Sequence, residues 1–138
     1  MIAADTVVVA EGEILGKPAD ADDARRMLKR LSGAVHTVLT AVVLNHDGRQ
    51  VSDVVETRVH LLPLRDSEIE WYILTAEPDG KAGAYAIQGR AARYVDWIEG
   101  SWSNVVGLPV ATVYRLLKAV GEWYPEGSPV SPVTPYES

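Results

Sequence analysis

The chain has 138 residues, a formal net charge of −6, no cysteine and 47% hydrophobic content, enough for one domain with one core. The acidic balance argues against a nucleic-acid backbone partner, which needs clustered positive charge, yet it allows a small anionic nucleotide wherever Lys and Arg converge. Without Cys there is neither a disulfide framework nor a thiolate metal site; with no apolar run of membrane-span length and no signal peptide before the first strand, no membrane partner and a cytoplasmic location are expected.

The run Ile2-Ala3-Ala4-Asp5-Thr6-Val7-Val8-Val9 is short, β-branched and continuous, which predicts a buried strand. Asp5 interrupts it. A carboxylate is costly to bury unless a metal ion, a Lys or Arg, or a helix end pairs with it. The alternative is a structural Asp that caps a turn where the strand ends early. Glu11-Gly12-Glu13 predicts a turn, Ile14-Leu15 resumes the apolar pattern, and Gly16-Lys17-Pro18 follows. One short hairpin thus carries Asp5 on one arm and Lys17 just past the other. Alone, Lys17 also reads as a surface lysine before a Pro turn.

Asp20 is a good helix N-cap, with Asp23 in the capping-box place. Ala24, Met27, Leu28 and Leu31 follow at helical spacing, and Ser32-Gly33 supplies the stop. Arg25, Arg26, Lys29 and Arg30 occupy the other face. They read as a nucleotide or partner contact, or, preferably, as a solvated face with Asp22 supporting Arg26. Val35 to Leu44 and Val51 to Leu64 predict two long strands joined at Asn45-His46-Asp47-Gly48. His36, His46 and His60 are spread over this hairpin and are expected at solvent-facing positions rather than in a metal cluster.

Asp66 to Glu70 opens a second helix with Ile69, Tyr72 and Ile73 on one face, ended by Pro78 and Gly80. Gly80 to Gly89 predicts a glycine-rich loop and Ala91 to Ile98 a strand, with Arg90 paired to an acidic neighbour such as Asp96. Pro109 stands in the first turn of a third helix whose buried face is Val110, Val113, Tyr114, Leu117 and Val120, with Gly121 at its end. Residues 1–124 make the domain. Residues 125–138 hold four of the eight prolines and are expected to form an extended, disordered Pro/Ser-rich tail. The class is α/β, a mixed sheet with flanking helices. Ligands in open α/β sheets lie beyond carboxyl ends of strands, and Asp5-Thr6 is expected to mark such an end.

Ala-Asp-Thr at 4–6, Gly-Lys-Pro at 16–18, Leu-Ser-Gly at 31–33, Lys-Ala-Gly-x-Tyr-x-Ile-Gln-Gly at 81–89 and Asn-Val-Val-Gly-Leu-Pro at 104–109 occur in unbroken order. Together they resemble the Maf family of nucleoside triphosphate pyrophosphatases, over about residues 1 to 121. The resemblance implies a long, twisted mixed sheet of inosine triphosphatase-like type that cradles a nucleotide between two lobes. It implies hydrolysis of a nucleoside triphosphate to the monophosphate and pyrophosphate, with a divalent cation, Mg²⁺ or Mn²⁺, bridging phosphate oxygens. Asp5 matches the proton acceptor, Lys17 and Lys81 the phosphate-neutralising lysines, and Thr6 and Gln88 the positions of substrate choice; a carboxylate such as Asp5 can alternatively hold the metal. The last two motifs resemble the dTTP/UTP branch; the branch acting on 7-methyl-GTP differs in both. A homodimer is a compatible assembly.

Family members open with a strand ending in Ser-x-Ser-Pro-Arg-Arg, a helix and further charged site residues. This chain begins inside the strand carrying Asp5, so a late start codon, a deletion or a truncation is expected. The chain alone is expected to be unstable and inactive beside an upstream-extended form. A non-catalytic nucleotide-binding or septum-regulating remnant is the alternative function.

Overall fold

The computed structural model describes residues 1–120. The tail at 125–138, the domain boundary at 124 and the helix stop at Gly121 lie outside the described residues. Strands β1 (Ile2–Ala10) and β2 (Glu13–Leu15) form a hairpin across Glu11 and Gly12, both at positive φ. Helix α1 (Ala21–Leu31) begins at Asp20, whose carboxylate accepts the Asp23 N–H at 2.8 Å. Its buried residues are Ala24, Met27, Leu28 and Leu31, the four that the helical period selects. Strands β3 (Val35–His46) and β4 (Arg49–Leu61) pair over their whole length across Asp47-Gly48, again both at positive φ, the geometry that matches strand twist in two-residue hairpins. Then come α2 (Asp66–Leu74), β5 (Val95–Glu99), α3 (Trp102–Val106) and α4 (Val110–Ala119).

The α/β class with helices flanking one sheet holds. The sheet order is β2-β1-β3-β4-β5, and every pairing among the described strands is antiparallel rather than mixed. The reason is connectivity: α1 carries the chain from β2 past β1, so β3 lands beside the strand that runs against it. Strand alternation sends Val8, Val38 and Val59 to one face, where α1 and α2 close the core with Leu28, Leu31, Ile69 and Tyr72.

The first strand is buried only at its end: Val8 and Ala10 are buried, whereas Ile2 to Asp5 are exposed. β2 pairs with Val8 to Ala10 alone, which leaves the earlier residues with β3 as their single neighbour. Asp5 is therefore not a buried carboxylate. Nor do Asp5 and Thr6 mark a strand end, since pairing continues past them. His36 is buried rather than solvent-facing, because it shares the core-side alternation of Val38 and Thr40. Arg90 to Tyr94 forms a 3₁₀ turn, and the strand starts only at Val95. Arg90 is not the partner of Asp96, which meets His60 Nδ1 at 2.9 Å. Val110 is 60% exposed, and Thr112 is the buried residue within α4. At the end of that helix Arg49 donates to the carbonyls of Ala119 and Val120 at 3.2 Å.

The basic face of α1 is a solvated, ion-paired surface. Arg25 meets Glu70 and Asp22, Arg26 meets Glu13 and Asp23, and Arg30 meets Glu13 at 3.0 Å. Those cations are occupied.

Candidate nucleotide site

A cavity of about 260 Å³ opens along the free edge of β1, and Asp5, Thr6, Lys17, Lys81 and Gln88 all line it. Five residues chosen from scattered motifs thus converge on one place. How they are held follows from the local chain.

Leu15, fully buried, anchors the end of β2, so Gly16 and Lys17 turn outward beside β1. The carbonyl of Gly16 accepts the N–H of Gly83 at 3.1 Å. One backbone bond therefore joins the turn bearing Lys17 to the turn bearing Lys81. Gly83 has φ +71° and rests on β1; a Cβ there would lie 2.8 Å from Val8 Cγ2. Both the left-handed backbone and the close approach require glycine. Lys81 itself is set by its N–H, which donates to the Pro78 carbonyl at 3.2 Å.

Thr6 and Thr40 are cross-strand partners whose hydroxyls are 2.8 Å apart. Asp5 lies on the opposite pleat from Thr6; it lines the cavity from the exposed side of the strand. Lys17, Lys81 and Gln88 are likewise exposed, and the site is a solvent-open groove. Among the described residues, Asp5, Lys17 and Lys81 form no ion pair, in contrast to the arginines of α1. Two uncommitted cations and one carboxylate suit a polyanion with a reacting centre close by.

Further residues position the site without a signal in any short motif. Tyr85 lines the cavity, and its hydroxyl lies 2.6 Å from Nε2 of buried His36. Burial holds the His36 imidazole down to a pKa of about 4 and pushes the Tyr85 phenol up. Both are neutral near pH 7. Asn104 is wholly buried; its Nδ2 donates to Thr57 Oγ1 at 2.8 Å and lies 3.1 to 3.2 Å from the carbonyls of Val55 and Val38. That clamp sets the cavity wall at Val105 to Gly107. The parity of β3 exposes His36 as a core residue; nothing local signals its pairing with Tyr85.

Among the described residues no group of three or more His, Asp or Glu is placed to hold a metal. The cavity contributes one carboxylate, Asp5. That donor set fits Mg²⁺, a hard ion commonly held by one or two carboxylates with substrate phosphates and water. No described helix is long and apolar enough to cross a membrane.

The fold and site together define an α/β protein with one antiparallel sheet and, at the edge of β1, a groove lined by two lysine-bearing turns. The family model for Maf-like protein matches residues 1–120, and the chain belongs to the Maf family. It is 52% identical over 137 residues to a dTTP/UTP pyrophosphatase of Anaeromyxobacter sp. (strain Fw109-5), covering 96% of this chain and 67% of that protein. It is 49% identical over 118 residues to the dTTP/UTP pyrophosphatase of Pyrococcus abyssi (strain GE5 / Orsay), covering 86% and 63%. A dTTP/UTP pyrophosphatase of Halalkalibacterium halodurans is 50% identical over 121 residues, covering 88% and 64%. The chain thus spans about two thirds of the length of the curated relatives it matches.

Proposed function

We propose that the protein hydrolyses dTTP and UTP to the nucleoside monophosphate and pyrophosphate. The observation that carries the reading is the pair of lysines, Lys17 and Lys81, which form no ion pair among the described residues and stand on turns joined by the Gly83–Gly16 bond, sharing a groove with Asp5. The dTTP/UTP pyrophosphatase names of relatives at about half identity support the same substrates.

In this reading Lys17 and Lys81 neutralise the triphosphate and the charge that grows on departing pyrophosphate. Asp5 accepts a proton from the water that attacks the α-phosphorus in line with that leaving group. A divalent cation, Mg²⁺ or Mn²⁺, supplies charge neutralisation at the phosphate oxygens when bound, with Asp5 as its protein ligand. Thr6 and Gln88 read the base. A glutamine amide offers an acceptor and two donors, enough for the O4 and N3–H edge of uracil or thymine. A base with the wrong pattern leaves those groups unpaired, which is how polar sites discriminate. The reading takes the cytoplasm as the compartment and a homodimer as the assembly.

The test is pyrophosphate release by the complete protein from dTTP, UTP, CTP, GTP and 7-methyl-GTP. dTTP and UTP should turn over fastest; 7-methyl-GTP as the best substrate would overturn the substrate choice. The exposure of Asp5 favours a second reading, a nucleotide-binding protein without turnover. Tight binding with no pyrophosphate from any nucleotide would select it.

A further inference from the structure

Gln88 is exposed, and its side chain makes no hydrogen bond among the described residues. No partner among the described residues holds its amide, so the backbone turn that presents it sets where the side chain starts and which region its amide can reach. That turn runs from Ala86 to Gly89, closed by the Gly89 N–H donating to the Ala86 carbonyl at 3.0 Å.

Both ends of the turn lead to one carboxylate that does not line the cavity. Glu77 Oε1 accepts the N–H of Arg90 at 2.9 Å, and Oε2 accepts the N–H of Ala91 at 3.2 Å. Oε2 also accepts the hydroxyl of Tyr72 at 2.5 Å. The Tyr72 oxygen in turn accepts the N–H of Ala86 at 3.1 Å. Only Ile87, Gln88 and Gly89 stand between the two anchors. The turn lies directly on the carboxylate: a Cβ on Gly89 would sit 2.1 Å from Glu77 Oε1. Burial pushes the Glu77 carboxyl up, but the Tyr72 hydroxyl and the two backbone N–H groups outweigh it and hold the group below its usual range.

We propose that Glu77 is a positioning residue for substrate choice: with Tyr72 it fixes the Ala86–Gly89 turn so that the Gln88 amide faces the base. The inference rests on the proposed nucleotide site. An ionised carboxylate accepts at both oxygens. Glu77→Gln keeps the shape but turns one end into a donor, which then faces a backbone N–H or the Tyr72 hydroxyl. The turn must shift to relieve that clash of donors, and Gln88 moves with it.

The experiment compares UTP with CTP, which differ only at the pyrimidine edge that Gln88 is held to read. On the complete protein, kcat/KM is measured for both, and equilibrium binding of both is measured by calorimetry. Glu77→Gln should lower the UTP:CTP ratio about tenfold, mainly through KM for UTP, the scale of one well-formed hydrogen bond. In a Gln88→Ala background, adding Glu77→Gln should leave the ratio where Gln88→Ala put it. A purely structural role would instead slow both nucleotides alike. Tyr72→Phe, which removes only the hydroxyl, should lower the ratio in the same sense and decides the matter if Glu77→Gln does not fold. A folded Glu77→Gln or Tyr72→Phe protein with the wild-type ratio overturns the inference, as does a further fall in the Gln88→Ala background. Wild-type protein that prefers UTP in binding yet releases no pyrophosphate defeats the enzyme reading alone, and the binding ratios still decide the role of Glu77. Wild-type protein that binds both nucleotides equally overturns the inference.

Discussion

Asp5→Asn is expected to lower pyrophosphate release from dTTP by about 10²–10⁴ while leaving nucleotide binding largely intact. The side chain keeps its size and loses its capacity to take a proton. Lys17 and Lys81 remain to hold the triphosphate, so kcat should fall far more than affinity. Asp5 is exposed on β1. Its role accordingly rests on place, a carboxylate in the same groove as two lysines that form no ion pair among the described residues. Single-turnover kinetics beside equilibrium binding measures the two effects separately. Near-normal turnover by the variant removes Asp5 from the mechanism.

The second large effect is on stability. His36 is 2% exposed, its Nε2 is engaged with the Tyr85 hydroxyl, and its Nδ1 is buried with no hydrogen-bond partner among the described residues. A second proton, on whichever ring nitrogen is bare in the neutral tautomer, would place a charge in the desolvated core. The folded protein therefore binds this proton less readily than the unfolded chain, with a pKa of about 4 against 6.5. The sign follows: the unfolded state holds more protons between those values, so stability is full above pH 6.5 and falls as pH drops toward 4. The loss is on the order of 3 kcal/mol, a large part of a domain's usual 5–15 kcal/mol. Urea unfolding of wild type and His36→Phe at pH 7, 6, 5 and 4 checks it. The variant starts lower, because Tyr85 loses its partner, but its curve should be flatter over this window. Parallel curves would show that His36 does not carry the pH dependence. Because Tyr85 lines the cavity, nucleotide binding should weaken over the same pH interval.

Local pattern made parts of this protein legible. The four buried positions of α1 follow from period and capping, and the β3–β4 hairpin from β-branched runs around Asp47-Gly48. The candidate residues came from motifs, and all five line one cavity. What was not legible depends on distant partners. The apolar look of Ile2 to Val9 predicted burial, but β2 is too short to cover the first half of β1. Alternation read through Ala91 to Ile98 gave a strand, where the Glu77 carboxylate curls the chain at Arg90 and Ala91. Helical period in α4 did not show that Thr112 is buried and Val110 exposed, since contacts with the distant β3 and β4 decide which face packs. The lysine turns gave no sign of the Gly83–Gly16 bond, because a backbone hydrogen bond leaves no mark in side-chain chemistry.

In the proposed reaction water attacks the α-phosphorus of a pyrimidine nucleoside triphosphate and pyrophosphate departs. Hydrolysis of dTTP by the complete protein in ¹⁸O-labelled water, with both products analysed by mass spectrometry, tests it most directly. Attack at the α-phosphorus gives unlabelled pyrophosphate and one labelled oxygen in the nucleoside monophosphate. Label in the pyrophosphate, or release of orthophosphate in its place, would contradict it.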